Sequence, residues 1–142
     1  MRLALDASMA LAWALDDERD DEALLAAQLV AKHGATVIPL WPLEVQNALL
    51  LAVRRKRLDM EVADSIREEF GALTLTVDTA GPLFSSAYEL AKHFNLTVYD
   101  AAYLELAQRR ALRLMTKDAR LSAAADALDL RWISNIDQPP KG

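Results

Sequence analysis

Five short apolar runs, none longer than five residues, punctuate the chain: Arg2–Leu5, Thr36–Ile38, Leu73–Val77, Leu112–Met115 and Arg131–Ile133. Helix-forming stretches lie between each consecutive pair. Strands joined through helices pair in parallel by right-handed crossovers, which lay the helices over both faces of one sheet. The spacing therefore predicts an α/β chain in three layers, with a short-stranded, mainly parallel sheet in the middle. The helices are expected over Ser8–Leu15, Glu22–Lys32, Pro42–Arg57, Met60–Phe70, a stretch ending near Phe94, Asp100–Ala111 and Ala119–Ala127. Gly34 suits a helix C-cap and Pro42 a first helical turn. Twenty-six Ala and 25 Leu against 4 Gly agree with that helical bias.

At 142 residues the chain is long enough for one domain with a real core, expected over residues 1–136 with a frayed tail at 137–142. The absence of Cys removes disulfides, thiolate metal sites and cysteine nucleophiles together. Its longest apolar runs, Met9–Leu15 and Ala48–Val53, fall far short of the ~20 residues that span a bilayer. No basic segment precedes an apolar stretch at the N-terminus, so a cytoplasmic protein is expected. The formal net charge of −5, from 16 Lys+Arg against 21 Asp+Glu, has the wrong sign for bulk attraction to nucleic acid. If four acids were gathered around cations, however, the remainder would be 16 against 17.

Ligands of open parallel sheets bind beyond the carboxyl ends of the strands. Asp6 closes the first apolar run, Glu44 lies in the first turn after the second, and Asp118 follows Thr116-Lys117 after the fourth. Asp100 opens the helix after Leu96–Tyr99. Each has an ordinary structural reading: N-cap for Asp6 or Asp100, dipole partner for Glu44, turn residue for Asp118. Three of the four lie just past a strand, and all four can reach one crevice. Such groups either take up protons or recruit cations, and oxygen-only ligands suit Mg²⁺ or Mn²⁺. These ions assist phosphodiester hydrolysis, and phosphatases use similar parts. Asp78 also follows a strand but suits a helix cap. The run Asp16, Asp17, Asp20 and Asp21 reads as a solvated turn, and Asp126 and Asp129 as exposed. His33 and His93 suit helix C-termini and lack partners at metal-ligand spacing.

Four segments in order, Asp6-Ala-Ser8, Glu44-Val-Gln-Asn47, Tyr99-Asp100-Ala-Ala-Tyr103 and Thr116-Lys-Asp118, resemble the PIN-domain ribonucleases, and among them the VapC-type toxins. The resemblance implies a magnesium-dependent endoribonuclease (Mn²⁺ serving as well), RNA as substrate, a homodimer, and a cognate VapB-type antitoxin that blocks the site. It makes Asp6, Glu44, Asp100 and Asp118 the catalytic and metal-holding quartet. Ser8 and Thr116 become hydroxyls that orient carboxylates or water, and Asn47 a phosphate contact or a support behind the carboxylates. Arg54, Arg55, Lys56 and Arg57 suit favourable charge at a helix C-terminus better than RNA contact, while any of Arg109, Arg110, Arg113, Lys117 and Arg120 that rim the site are cations available to phosphates. Trp13, Trp41 and Trp132 suit core packing better than base stacking, and Ala48–Val53, apolar all round, suits a dimer or antitoxin surface. Two other readings compete: a PIN domain that binds metal or protein without turnover, and a phosphoacceptor signalling domain, for which only Asp78 could take the phosphoryl group.

Overall fold

The computed structural model describes residues 2–81 and 86–134. Its elements run β1 (Leu3–Leu5), α1 (Ala7–Ala14), α2 (Asp21–His33), β2 (Ala35–Val37), α3 (Trp41–Arg54) and α4 (Met60–Gly71). They continue with β3 (Leu75–Val77), α5 (Ser86–Phe94), α6 (Val98–Arg110), β4 (Arg113–Met115) and α7 (Ala119–Ala127). All strand pairs are parallel, in the order β3-β2-β1-β4. The expected fifth strand is reduced to a single parallel bridge from Arg131 to Leu114. The expected tail at 137–142 lies outside the described residues.

From β1 the chain steps outward to β2 and β3, then returns across the sheet to β4 on the other side of β1. Right-handed crossovers consequently put α1–α4 on one face and α5–α7 on the other. The packing of α1 on α2 and α3, and of α6 on α5 and α7, follows this division. β1 sits between β2 and β4 and is buried along its length, as is Leu114-Met115 beside it. The reversal of direction puts the topological switch point at the carboxyl ends of β1 and β4, the place where such sheets bind ligands.

Local sequence sets the element ends. Gly34 caps α2 with φ +71°, a conformation that disfavours side chains, and a Cβ there would lie 2.7 Å from the Thr74 carbonyl oxygen. Trp13 and Trp41 both pack on Phe70, at ring-centroid distances of 6.2 and 5.6 Å, and Trp132 is buried, so all three tryptophans serve packing. The run Ala48–Val53 divides: Leu49 and Ala52 enter the core, while Leu50 and Leu51 face outward.

Candidate active site

Asp6 begins where β1 ends. Its backbone N–H bonds to the Met115 carbonyl of β4 at 3.2 Å, fixing the residue at the switch point of the sheet. Its side chain is the N-cap of α1, accepting the Met9 N–H at 2.9 Å. The Ser8 hydroxyl donates to both carboxylate oxygens, at 2.8 and 2.9 Å, and Thr116 donates to Oδ2 in a short hydrogen bond. Ser8 Oγ also accepts the Lys117 N–H at 2.9 Å, and Thr116 Oγ1 the Asp118 N–H at 3.0 Å. The two hydroxyls thus tie the loop after β4 to the end of β1. Asp6 is only 4% exposed, and burial pushes its carboxyl up to about 6 against the pull of Thr116, Met9 and Ser8; the Asp100 carboxylate adds to the rise.

Asp118 caps α7, accepting the Leu121 N–H through Oδ1 at 2.8 Å. Asp100 differs from the sequence expectation. The helix begins two residues earlier, at Val98, and Thr97 is the cap, accepting the Asp100 N–H at 3.1 Å. The threonine, and not Asp100, caps the helix. Burial raises the proton affinity of the Asp100 carboxylate and so does the nearby Asp118 carboxylate, while the Thr97 hydroxyl opposes the rise. Glu44, in the first turn of α3, is likewise raised by burial and by Asp100, while the Tyr103 hydroxyl, donating to Oε1 at 2.8 Å, opposes the rise. Asp100 is therefore the acid through which Asp6, Glu44 and Asp118 are electrostatically joined. Among the described residues no group of three Asp, Glu or His side chains is placed to hold a metal ion. The donors present are all oxygens, the set that suits Mg²⁺ or Mn²⁺.

Of the supporting residues, Ser8 and Thr116 touch Asp6 as described, whereas Asn47 is an exposed residue of α3 with no hydrogen bond found for its side chain among the described residues. The basic residues are largely engaged elsewhere. Lys117 pairs with Asp20 at 2.6 Å and Glu22 at 3.2 Å, Arg57 with Asp17 at 2.8 Å, and Arg113 with Asp129. Asp20 is thus more than part of a solvated run, since it also caps α2 by accepting the Ala23 N–H.

Asp78 corrects the expectation of a helix cap. The next described helix starts at Ser86, and residues 82–85 lie outside the described residues. Asp78 is buried and receives Arg109 at 2.8 Å and Arg110 at 3.1 Å; Arg109 also grips the buried Glu105 at 2.6 Å. Arg109 holds its carboxyl below the usual range, and both oxygens are committed to guanidinium groups, an arrangement unlike a phosphoacceptor. Sequence reasoning also missed the Tyr103–Glu44 link. The available signal was a tyrosine one turn after Asp100 on the buried face of α6, since a buried phenol requires a polar partner.

Residues 3–127 match the family model for the PIN domain. The chain is 33% identical over 131 residues to Ribonuclease VapC3 of Pyrobaculum aerophilum, covering 90% of this chain and 98% of that protein. It is 31% identical over 125 residues to Ribonuclease VapC9 of Mycobacterium tuberculosis, covering 88% and 92% respectively. The crystal structure of PAE2754 from Pyrobaculum aerophilum superposes with a TM-score of 0.68 at 25% identity, covering 87% of this chain and 84% of that one. VapC20 of Mycobacterium tuberculosis, described as a sarcin-ricin loop cleaving toxin, shares the fold at a TM-score of 0.57 and 14% identity, with coverages of 86% and 94%. With strand-end acids joined at the switch point of a parallel sheet, and a family match that spans the sheet and every one of those acids, the chain belongs to the PIN-domain family, among its VapC-type members.

Proposed function

We propose that the protein is a metal-dependent endoribonuclease, the toxin of a toxin–antitoxin pair, in which Asp6, Glu44, Asp100 and Asp118 hold Mg²⁺ or Mn²⁺. The observation that carries this reading is the position of Asp100: Thr97 caps the helix in its place, and its carboxylate lies near enough to Asp6 and Glu44 to raise the proton affinity of both. Like charges gathered this way are costly unless a cation compensates them. The VapC relatives named as ribonucleases support RNA as the substrate.

A divalent cation bound by these oxygens supplies charge neutralisation and an activated water for in-line attack on phosphorus. The chain's own residues prepare for it. Ser8 and Thr116 fix the rotamer of Asp6, so its carboxylate does not reorganise on binding. Asp118 spends Oδ1 on its helix and presents Oδ2, for which no hydrogen bond is found among the described residues. Lys117, held by Asp20 and Glu22, anchors the loop that carries Thr116 and Asp118 to α2.

The antitoxin is a VapB-type protein. An acidic crevice is open to a basic side chain, best an Arg, that pairs with the carboxylates in place of metal. Its apolar residues cover the outward-facing Leu50 and Leu51 of α3, and the toxin works as a homodimer in the cytoplasm. Purified protein should cleave RNA with Mg²⁺ or Mn²⁺ and stop in EDTA. Asp6→Asn and Asp100→Asn should remove cleavage while leaving the fold intact, whereas Asp126→Ala should behave like the parent. A folded Asp6→Ala protein that cuts RNA at the parent's rate would refute the site assignment.

A further inference from the structure

We propose that Tyr103 is a positioning residue for this site, its hydroxyl holding the Glu44 carboxylate in the crevice from the opposite helical layer. The inference rests on the function proposed above. The quartet is divided between layers: Glu44 stands on α3, Asp100 on α6, and Asp6 and Asp118 at strand ends. Among the described residues, the 2.8 Å bond from Tyr103 Oη to Glu44 Oε1 is the hydrogen bond that joins α6 to α3.

The two partners are unequal. Tyr103 is 1% exposed, with its ring packed in the core, so its hydroxyl has one place to be. Glu44 is half-buried on a flexible stem, and Asp100 repels it. A rigid donor on a mobile carboxylate fixes one oxygen and leaves the other for a ligand. A phenylalanine would fill the same apolar space, so packing alone does not account for the hydroxyl. Hydrogen bonds placed behind metal-holding side chains in this manner are worth about 10–100-fold in metal affinity or activity.

Tyr103→Phe keeps the ring and removes the bond. Its Mn²⁺ affinity by calorimetry is expected to fall by at least about tenfold, with kcat reduced at saturating Mn²⁺ and KM for RNA little changed. In a Glu44→Ala background, which retains the three aspartates, the same substitution should add nothing further. Tyr103→Phe that binds Mn²⁺ as tightly as the parent overturns the inference. So does an equal loss with and without Glu44, which would assign the effect to the hydroxyl's other contact, the Ala7 N–H at the start of α1. If the parent binds no Mn²⁺, the proposed function itself falls and this inference with it.

Discussion

Replacing Asp6 by Asn should stabilise the metal-free protein near neutral pH. The folded carboxyl titrates at about 6 against an ordinary 3.8, chiefly because burial disfavours its charge. A group raised in the folded state contributes stability that is complete below its unfolded value and is lost as pH rises through the folded one. Each pH unit between the two values is worth about 1.36 kcal/mol, so ionising Asp6 in the folded protein costs roughly 3 kcal/mol by about pH 7.5. Asparagine cannot ionise. It retains an acceptor for the Met9 N–H and a shape that Ser8 and Thr116 already surround. Whatever the amide costs sterically is independent of pH, so the informative quantity is the change with pH in the stability difference between variant and parent. That difference should move in favour of Asp6→Asn by roughly 2–3 kcal/mol between about pH 4 and pH 7.5. Urea unfolding of both proteins in EDTA, at several values across that interval, measures it. Saturating Mg²⁺ should restore much of the parent's deficit and little of the variant's. A stability difference that stays flat with pH, or moves in favour of the parent, would show that burial does not penalise the charged form of Asp6.

Three further outcomes are expected. Thermal melting of the parent should rise with Mg²⁺ or Mn²⁺, by about 2.7 kcal/mol at one hundred times Kd, and the rise should shrink in Asp100→Ala; an equal rise in that variant would place the ion elsewhere. Asp78→Asn should cost about 1–2 kcal/mol by urea unfolding at neutral pH, because it discards charged bonds to two half-exposed arginines, yet folded protein should still cleave RNA. Since Arg109 holds the Asp78 carboxyl low, that stability is present above the ordinary carboxylate value and is lost as pH falls through the folded one; a variant equal to the parent at neutral pH would contradict this. Leu50→Asp should weaken antitoxin binding in a pull-down without reducing RNA cleavage by the free toxin; unchanged binding would move the partner's apolar contact off α3.

Much of this was legible in the chain because backbone rules leave few choices. Short apolar runs alternating with helices demanded a parallel sheet, and Asp6 and Asp118 could be placed at its carboxyl edge from the residues preceding them. What escaped was set by contacts distant in sequence. The start of α6 was misplaced because Asp100 and Thr97 are both good caps, and only the folded chain chooses between them. Asp78 read as a cap because the arginines that claim it stand 31 and 32 residues away on another helix. The bond from Tyr103 to Glu44 spans 59 residues and crosses from one helical layer to the other, so periodicity could bury the tyrosine but could not name its partner. The last strand shrank to one bridge because Arg131 alone meets Leu114 in register.

Asp6 and Asp78 make a controlled comparison within one molecule. Both are buried, and each directly follows a strand of the same parallel sheet. Burial alone raises the proton affinity of either. Asp78 is met by Arg109 and Arg110, and its carboxyl falls below the usual range. Asp6 is met by two hydroxyls and an amide, which orient it but bring no charge, and by the added repulsion of Asp100. Neutral donors lower the cost of a buried carboxylate without cancelling it. The protein therefore supplies its own cations to the acid that serves the fold and supplies none to Asp6, the acid that holds metal under the function proposed above. That contrast also indicates what an inhibitor must bring. A guanidinium delivered to the crevice would do for the Asp6–Asp100 pair what Arg109 does for Asp78, and a lysine, with no planar fork to match carboxylates, would do it less well. An antitoxin whose inserted Arg is changed to Lys should accordingly still bind through its apolar contacts while releasing part of the nuclease activity. Full silencing by the Lys form, measured as RNA cleavage in excess Mg²⁺, would show that occlusion rather than charge pairing closes the site.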